Sequence, residues 1–388
     1  MAKIAIAALS FNAPSETFIR NHVQQIAPGQ TVLLCNDYTG AQQFGCPVLS
    51  LIEPWSPPQT LVERVANAIR HRWRKHVRPG LTPANRSRVA TFLKQHNVTA
   101  LLAEYGPTGC LLMNVCRELE VPLFVHFHGY DASMLLRWKH QVRHYRKLFH
   151  IATGIIAPSQ FLATKLLEIG CPPEKMHLSP CGVDPHIFRP SVRKFGHILA
   201  VGRLVEKKAP HLTIEAFAQI ADKFPGSRLD IVGDGPLKQQ CLELISRLAL
   251  SQRITLHGAL SSHRVAEMMQ EAYLFVQHSV TATSGDTEGL GVSLLEAMAS
   301  CVPVIATRHN GFVETVSDGE TGFLVDEYDV SGMAAAMALL LDDPDRAAAL
   351  GAAGRARVLE HFTIEHTRDR LRAIMELDPV APAPVQAV

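Results

Sequence analysis

The sequence predicts an α/β protein built from two doubly wound parallel sheets. Short apolar runs rich in β-branched residues alternate with amphipathic helical stretches, which is the pattern of parallel strands covered by helices on both faces. The alternation stops around residues 183–195, where Pro185 and Pro190 interrupt regular structure, and then begins again. A length of 388 residues suits two domains of about 150–200 residues each. We therefore predict two Rossmann-like domains, residues 1–190 and 191–366, that face a cleft.

Strands are predicted wherever an apolar run of about four to eight residues is bounded by turn residues. In the first half these runs are residues 3–9, 31–35, 48–51, 99–103, 122–127 and 154–157. In the second half they are residues 197–201, 228–232, 253–257, 274–277, 303–306 and 322–325. A last helix at residues 367–377 is predicted to pack back on the first domain. Residues 379–388 contain three prolines and no charge, so we predict a flexible tail there.

The composition is that of an ordinary globular protein. Apolar residues make up 47% and charged residues 19% of the chain, which excludes collagen-like and wholly disordered chains. No apolar run reaches the roughly 18–20 residues of a membrane span, and the apolar start is too short for a secretory signal. The eight cysteines form no C-x-x-C pair, which argues against a zinc ribbon and a disulfide framework. We therefore expect a cytoplasmic protein with reduced thiols.

The small net charge of +2 hides a division along the chain. Residues 1–195 carry 22 basic and 11 acidic side chains, whereas the remainder carries 16 and 25. Basic residues concentrate in residues 61–78 and 137–147, together with tryptophan and other apolar residues. Basic amphipathic helices of this kind lie on anionic membrane surfaces, but a solvated helix that packs its apolar side on its own sheet has the same pattern. No nucleic-acid binding module surrounds them, so we do not expect nucleic acid as a partner.

The loops that follow the strands are the candidate sites, because doubly wound sheets bind ligands at the carboxyl ends of their strands. After the predicted strand at 274–277, a glycine-containing loop leads into a helix, whose first N–H groups suit a phosphate. Glu288 lies in this loop and Glu296 about two turns later, and their carboxylates could accept hydrogen bonds from sugar hydroxyls. The alternative is that Glu288 only offsets the helix dipole and Glu296 is solvated.

A second candidate loop follows the predicted strand at 197–201. It contains Gly202, Arg203 and Lys208. A guanidinium and an ammonium at one strand end suit a diphosphate ligand. Both residues could also be solvated surface charges.

A third candidate follows the predicted strand at 122–127. Alternation along a strand places His126 and His128 on one face, and only His128 lies beyond the strand end. His128 is thus either a site residue or a structural histidine. The segment Gly233 to Gly235 lacks the third glycine of a dinucleotide motif, and the signatures of zinc proteases, nucleophile elbows and P-loops do not occur.

Several motifs occur here in a combination that is specific to one family. They are Gly202-Arg203 to Lys208, Glu288 with Glu296, Ala297-Met298-Ala299 with Pro303 to Ala306, and Asn310-Gly311 to Glu314 followed by Gly322. With them the sequence resembles glycosyltransferase family 4, whose members are retaining enzymes of the GT-B fold. Ser15-Glu16 and His128 to Asp131 resemble the members that build exopolysaccharides and lipid-linked glycans.

The resemblance implies a role for each candidate residue. Arg203 and Lys208 would hold the donor diphosphate and stabilise the departing nucleotide. Glu288 would contact hydroxyls of the donor sugar, Glu296 would bind the ribose, and His128 would lie beside the transferred sugar. The other implied donor-binding residues are Gly202, Gly289, Leu290, Gly291 and Val292, and the implied acceptor-side residues are Ser15, Glu16 and Asp131.

The resemblance also implies the substrates. The donor would be a nucleotide sugar, specifically a UDP-sugar, and the acceptor a hydroxyl of a glycan or a lipid-linked glycan in polysaccharide biosynthesis. No cofactor and no metal are implied, and the enzyme would be cytoplasmic or peripheral on the inner face of the membrane. Two alternatives stay open: a nucleotide-sugar epimerase or hydrolase of the same fold, and a non-catalytic scaffold that binds nucleotide sugars.

The chain departs from the family pattern at several loop positions. Ala209 stands where glycine usually follows the lysine, Gly291 where proline or phenylalanine is common, and Cys301 where glycine is usual. Asn12 to Pro14 replace the glycine pair of the first loop. These changes leave the charged residues intact but leave the identity of the donor sugar open.

Overall fold

The computed structural model describes residues 3–11, 17–37, 45–51 and 80–377. The chain divides into two compact units. The first unit comprises Met1–Ala157, Ala163–Ser179 and Arg368–Val388, and the second comprises Pro158–Leu162 and Pro180–Thr367. The predicted helix at 61–78, the acceptor-side residues Ser15 and Glu16, and the predicted tail at 379–388 all lie outside the described residues.

The first unit contains a seven-stranded parallel sheet. Its strands are β1 (Lys3–Ser10), β2 (Thr31–Asp37), β3 (Val48–Leu49), β4 (Val98–Glu104), β5 (Leu123–His126), β6 (Gly154–Ala157) and β7 (Met176–Leu178). They are arranged in the order β3-β2-β1-β4-β5-β6-β7. The helices along this part of the chain are α1 (Thr17–Gln25), α2 (Pro83–Gln95), α3 (Gly106–Leu119), α4 (Lys139–Ile151) and α5 (Gln160–Glu168).

The second unit contains a six-stranded parallel sheet. Its strands are β8 (His197–Val201), β9 (Arg228–Val232), β10 (Ile254–Gly258), β11 (Leu274–Gln277), β12 (Val304–Thr307) and β13 (Gly322–Val325), in the order β10-β9-β8-β11-β12-β13. Its helices are α6 (Pro210–Ala221), α7 (Lys238–Arg247), α8 (Ser262–Glu271), α9 (Val292–Ala299), α10 (Phe312–Thr315), α11 (Val330–Asp342) and α12 (Pro344–His361). The chain then forms α13 (Ile364–Ile374).

The central strands of both sheets are buried, as the apolar runs predict, whereas the edge strand β10 exposes Thr255 and His257. Ile4 to Ala8 in β1 are fully buried between β2 and β4, and Phe217, Leu274 and Met337 belong to the core around β8 and β11. In each sheet the strand order reverses beside the first strand of the unit, between β1 and β4 and between β8 and β11. The carboxyl ends of these strands are where a doubly wound sheet binds its ligand.

The predicted fold class is confirmed, and each of the twelve predicted strands is present to within two residues at either end. Sequence analysis missed β7, an edge strand of three residues in which His177 interrupts the apolar residues, so that no apolar run marks it. The basic stretch at 137–147 corresponds to α4, which begins at Lys139 after a 3₁₀ turn at Met134–Arg137.

The last helix begins earlier than predicted, at Ile364 instead of residue 367. From Arg368 onward it belongs to the first unit, where the Arg372 guanidinium donates to the carbonyl of Ile26. Among the described helices, none combines the length and the apolar character that crossing a membrane requires.

Candidate active site

The loop after β8 brings two lysines to the strand end. Gly202 donates its N–H to the carbonyl of Val232, and a Cβ at Gly202 would lie 3.2 Å from the aliphatic stem of Lys208. The chain then forms a 3₁₀ turn, Glu206–Lys208, and Ala209 adopts a left-handed conformation with φ of 37°. Pro210 starts α6 directly afterwards, at a position where a helix needs no N–H donor.

Lys208 forms an ion pair with Glu288 on the loop after β11. Its Nζ lies 3.0 Å from Oε2 of Glu288, and both side chains are at most 15% exposed. The neighbouring Lys207 pairs with Asp286 at 3.0 Å, lies 3.7 Å from Glu288 Oε1 and donates to the carbonyl of Thr287. These contacts tie the two strand-end loops together through charged groups that are largely withdrawn from water.

The two lysines determine the protonation of Glu288. Burial opposes ionisation, but the charges of Lys208 and Lys207 and the hydrogen bond from Lys208 hold the pKa of Glu288 at about 2. Burial lowers the pKa of Lys208, and the charge of Glu288 works against that lowering. Glu288 is therefore a carboxylate at neutral pH, where it can accept hydrogen bonds but cannot donate one.

Arg203 is an exposed cation beside this pair. Among the described residues its guanidinium has no hydrogen-bond or ion-pair partner, and its charge contributes to the lowered pKa of Lys208. A pocket lies against Gly202, Arg203, Lys208 and Gln277. The site therefore offers two lysines that are already paired and one arginine that faces solvent.

The glycine loop after Glu288 leads directly into α9. Gly291 has φ of 83°, which favours glycine, and a Cβ there would lie 2.5 Å from the ring of Phe312. Leu290 is buried, and its carbonyl accepts a hydrogen bond from Thr315 Oγ1. A Cβ on Gly311 would lie 2.1 Å from the carbonyl oxygen of Gly289, so Gly311 allows the two loops to touch.

Glu296 lies on α9, one turn after Val292 has begun the helix. Its side chain is half-buried, and burial raises its pKa to about 8, although the charge of Lys208 acts in the opposite direction. Glu288 and Glu296 thus differ in charge at neutral pH. The structure places Gly202, Arg203, Lys208, Glu288 and Glu296 in the same region, since Lys208 acts electrostatically on both carboxyls.

Sequence analysis missed His309 and Glu327, which hold the backbone of the Glu288 loop. His309 is fully buried, its Nδ1 contacts the carboxylate of Glu327, and its Nε2 accepts the N–H of Glu288 at 3.2 Å. Glu327 also accepts the N–H of Thr281. For His309 the sequence gives one signal, since it directly precedes the motif residue Asn310. For Glu327 it gives none, since Glu327 lies 18 residues further along the chain than His309.

The remaining predicted site residues lie in the first unit. His128 is partly buried, with its Nε2 2.7 Å from Oε2 of Glu104, a residue that sequence analysis did not identify. The carboxylate of Asp131 is fully buried and accepts the backbone N–H groups of Gly106, His128 and Gly129. Asp131 therefore fixes the backbone around His128 and the start of α3.

Family models match both halves of the chain. Residues 29–187 match the model described as Glycosyltransferase Family 4, and residues 189–357 match the model described as Glycosyl transferases group 1.

Relatives with curated names match over most of the chain. The "Putative colanic acid biosynthesis glycosyltransferase WcaL" of Salmonella typhimurium is 34% identical, over 71% of this chain and 70% of its own length. The amylovoran biosynthesis glycosyltransferase AmsK of Erwinia amylovora is 30% identical, over 74% and 72%. A GDP-mannose-dependent monoacylated α-(1-6)-phosphatidylinositol monomannoside mannosyltransferase of Corynebacterium glutamicum is 35% identical, over 66% and 69%.

Solved structures share the fold at low sequence identity. Anabaena Alr3699/HepE in complex with UDP and glucose has a TM-score of 0.78 at 19% identity, covering 97% of this chain and 100% of that one. Sucrose-phosphate synthase from Thermosynechococcus elongatus has a TM-score of 0.74 at 19% identity, covering 97% and 98%. At this level of identity the likeness concerns the fold alone.

Proposed function

The chain belongs to glycosyltransferase family 4 and has the GT-B fold, and on that premise we propose that it moves a hexosyl group from a UDP-sugar to a hydroxyl of a glycan or lipid-linked glycan, with retention at the anomeric carbon. That it is a glycosyltransferase follows from its family. The proposal concerns the donor, the acceptor, the stereochemistry and the role of each residue. Exopolysaccharide glycosyltransferases among the relatives support the glycan acceptor.

The observation that carries the proposal is the ion pair of Lys208 with Glu288, with the exposed Arg203 beside Lys208, at the strand ends of the second unit. In the reaction, the bond between the anomeric carbon and the diphosphate oxygen breaks, the bond from the acceptor oxygen to the same carbon forms, and the proton of the acceptor hydroxyl passes to the leaving diphosphate. Negative charge grows on the leaving diphosphate as positive charge grows on the sugar. Preorganised cations at the diphosphate therefore lower the barrier.

Glu288 has two functions in this scheme. Its charge keeps Lys208 in place and favours the ammonium form, against the effect of burial. As a carboxylate it can also accept hydrogen bonds from hydroxyls of the donor sugar. The donor diphosphate would then approach Lys208 and the exposed Arg203, while the sugar approaches Glu288.

The similar proteins differ in the nucleotide that they bind or depend on. UDP occupies the HepE structures, whereas the mannosyltransferases named among the relatives depend on GDP-mannose. We propose the UDP-sugar, with GDP-mannose as the second candidate. A panel of UDP-glucose, UDP-galactose, UDP-N-acetylglucosamine and GDP-mannose, each with and without a glycan acceptor, decides between them.

The same panel tests the type of reaction. Acceptor-dependent release of UDP supports the proposal, and acceptor-dependent release of GDP would replace its donor. Release of nucleotide at one rate with and without acceptor means hydrolysis. Isomerised sugar without nucleotide release means an epimerase, and binding without turnover of any donor means a scaffold.

Donor binding is expected to depend on the ionisation of Glu296. Since the pKa of Glu296 is raised to about 8, its carboxyl is mostly protonated at pH 7 and mostly ionised at pH 9. A carboxylate accepts hydrogen bonds from both ribose hydroxyls, so UDP-glucose should bind about tenfold more tightly at pH 9 than at pH 7.

Calorimetry of UDP-glucose binding to wild type and Glu296→Gln checks this expectation. Both proteins keep Lys208 and its pair with Glu288, so the difference between them isolates Glu296. The variant should lose the rise in affinity between pH 7 and pH 9. An unchanged pH profile in the variant would contradict a role of Glu296 at the ribose.

We also propose that α4 binds anionic lipid and places the enzyme at the inner face of the membrane. The apolar side of this helix is used within the unit, since Tyr145, Leu148 and Phe149 are buried. Its other side carries the exposed Lys139 and Arg143. With Arg146 these residues line a groove whose apolar members are Leu136 and Val142, a combination that suits a phosphate headgroup.

Charge reversal on α4 tests the lipid proposal. Arg143→Glu should weaken binding to vesicles containing phosphatidylglycerol at low salt, because each basic residue near an anionic surface contributes about 1 kcal/mol. The matched control is Arg247→Glu, an exposed arginine at the end of α7 in the second unit. Equal vesicle binding by the two variants, or no binding by wild type, would refute the proposal.

A further inference from the structure

A fully buried carboxylate joins two histidines in the first unit. Glu104 ends β4, its Oε1 lies 2.6 Å from Nδ1 of His22, and its Oε2 lies 2.7 Å from Nε2 of His128. Burial favours the protonated acid, but the two histidines outweigh it and hold the pKa of Glu104 well below its usual range. Glu104 is thus an anion that accepts from both rings, and each histidine donates to it.

The ring of His128 is fixed by its neighbours as well as by Glu104. Phe18 packs on it with ring centroids 4.2 Å apart, and Tyr105 meets it edge-on at 4.7 Å. The ring centroid of His126 lies 4.4 Å from that of His128. The Nε2 of His126 lies 3.1 Å from the carbonyl oxygen of Ser179, which can only accept a hydrogen bond. His126 therefore points its Nε2–H away from Glu104, and His128 and His22 make the two close contacts with the carboxylate.

We propose that Glu104 is a positioning residue that holds the proton of neutral His128 on Nε2. A histidine protonated on Nε2 carries its lone pair on Nδ1, so this ring accepts a hydrogen bond from a hydroxyl through Nδ1 and does not donate one. The inference rests on the proposed location of His128 beside the transferred sugar. According to the inference, Glu104 determines whether His128 donates a hydrogen bond to a sugar hydroxyl or accepts one from it.

Glutamine cannot replace Glu104 in this arrangement. A glutamine side chain offers one accepting oxygen and one donating NH₂ group, whereas the two histidines both donate. The NH₂ group would face an N–H, so one ring must change its tautomer or move. His22 is the more deeply buried ring, with 4% of its side chain exposed against 9% for His128, so we expect His128 to respond.

Transfer kinetics of Glu104→Gln give the first measurement. We expect kcat to fall about 10- to 100-fold, as it does when a group that orients a metal-bound histidine is removed, with little change in the KM of the donor. The matched control is Glu118→Gln, an exposed glutamate of the same unit that pairs with Arg86 at the surface. In a His128→Ala background, Glu104→Gln should cause no further loss of kcat, because it acts through that ring.

Nitrogen-15 NMR of the donor-free protein measures the tautomer without reference to activity. Wild-type His128 should carry its neutral-state proton on Nε2, and Glu104→Gln should not. Three results would each overturn the proposal. The first is a wild-type His128 protonated on Nδ1, the second is a kcat of Glu104→Gln equal to that of Glu118→Gln, and the third is an additive loss of kcat in the His128→Ala background. If Glu104→Gln does not fold, the wild-type spectrum decides.

The two measurements also separate this inference from the proposed function. His128 could carry its proton on Nε2 in a protein that turns over no nucleotide sugar. That result would support the role of Glu104 in fixing the tautomer and would refute the proposed reaction. Full turnover by Glu104→Gln refutes the inference and leaves the proposed reaction intact.

Discussion

Replacing Arg203 by alanine is expected to lower kcat about 100- to 1,000-fold and to leave the fold intact, because one preorganised donor at a developing anion contributes about that much. Among the described residues the guanidinium has no partner within the protein, so its removal breaks no contact there. Lys208→Ala should lower kcat to a similar extent, but it also leaves Glu288 without its 3.0 Å partner. Arg203→Ala is therefore the cleaner test.

Initial rates of UDP release with acceptor, together with urea unfolding of each variant, check this prediction. Lys223→Ala is the matched control, since this exposed lysine, two residues beyond the end of α6, pairs with Asp342 on the surface. It should retain the wild-type rate. Wild-type turnover by Arg203→Ala would mean that the leaving diphosphate is stabilised elsewhere, and the assignment of the donor site would fail.

The fold could be predicted from the sequence because both sheets are parallel and their central strands are buried. Such strands are largely apolar runs, and residues 154–157, 197–201 and 274–277 become β6, β8 and β11 without any shift of their ends. The short edge strand β7 gave no such signal. Local pattern identifies strands that form an apolar run, and it is silent on a strand such as β7, in which one of three residues is a histidine.

Two departures from the family pattern have a physical consequence that only the structure reveals. Ala209 and Cys301 stand where the family usually has glycine, and both adopt left-handed backbone conformations, with φ of 37° and 65°. The backbone thus keeps the conformation that favours glycine, at a cost of about 1–2 kcal/mol per residue. The turn that carries Lys208 is retained in spite of the substitution.

The charged residues of the candidate site were found from their position after strands, but their partners were not. Glu104 looks like the end of an apolar run in the sequence, and His309 looks like a loop residue. Their importance comes from contacts with His128 and with the backbone of Glu288, 24 and 21 positions away in the chain. Sequence spacing reveals motif residues but not the side chains that orient them, because those contacts depend on which strands lie side by side.

Replacing Glu288 by glutamine is expected to destabilise the protein by about 3–5 kcal/mol, the cost of removing one partner from a buried ion pair. The pKa of Glu288 gives a similar figure. A carboxyl with a pKa of about 2 in the folded state, against an ordinary 4.5, contributes about 3 kcal/mol of stability at neutral pH. Lys207 keeps Asp286 as its partner in the variant, so the loss falls on Lys208.

The pH dependence distinguishes this cause from a general packing defect. Because the pKa of Glu288 is depressed in the folded state, its stabilisation is complete above pH 4.5 and is lost as the pH falls through about 2. The difference in unfolding free energy between wild type and Glu288→Gln should therefore narrow between pH 4.5 and pH 2. Glu271→Gln is the control, since it makes the same change in an exposed pair with Lys194 and should cost at most about 1 kcal/mol. A difference that is independent of pH, or equal losses in the two variants, would show that Lys208 does not depend on the charge of Glu288.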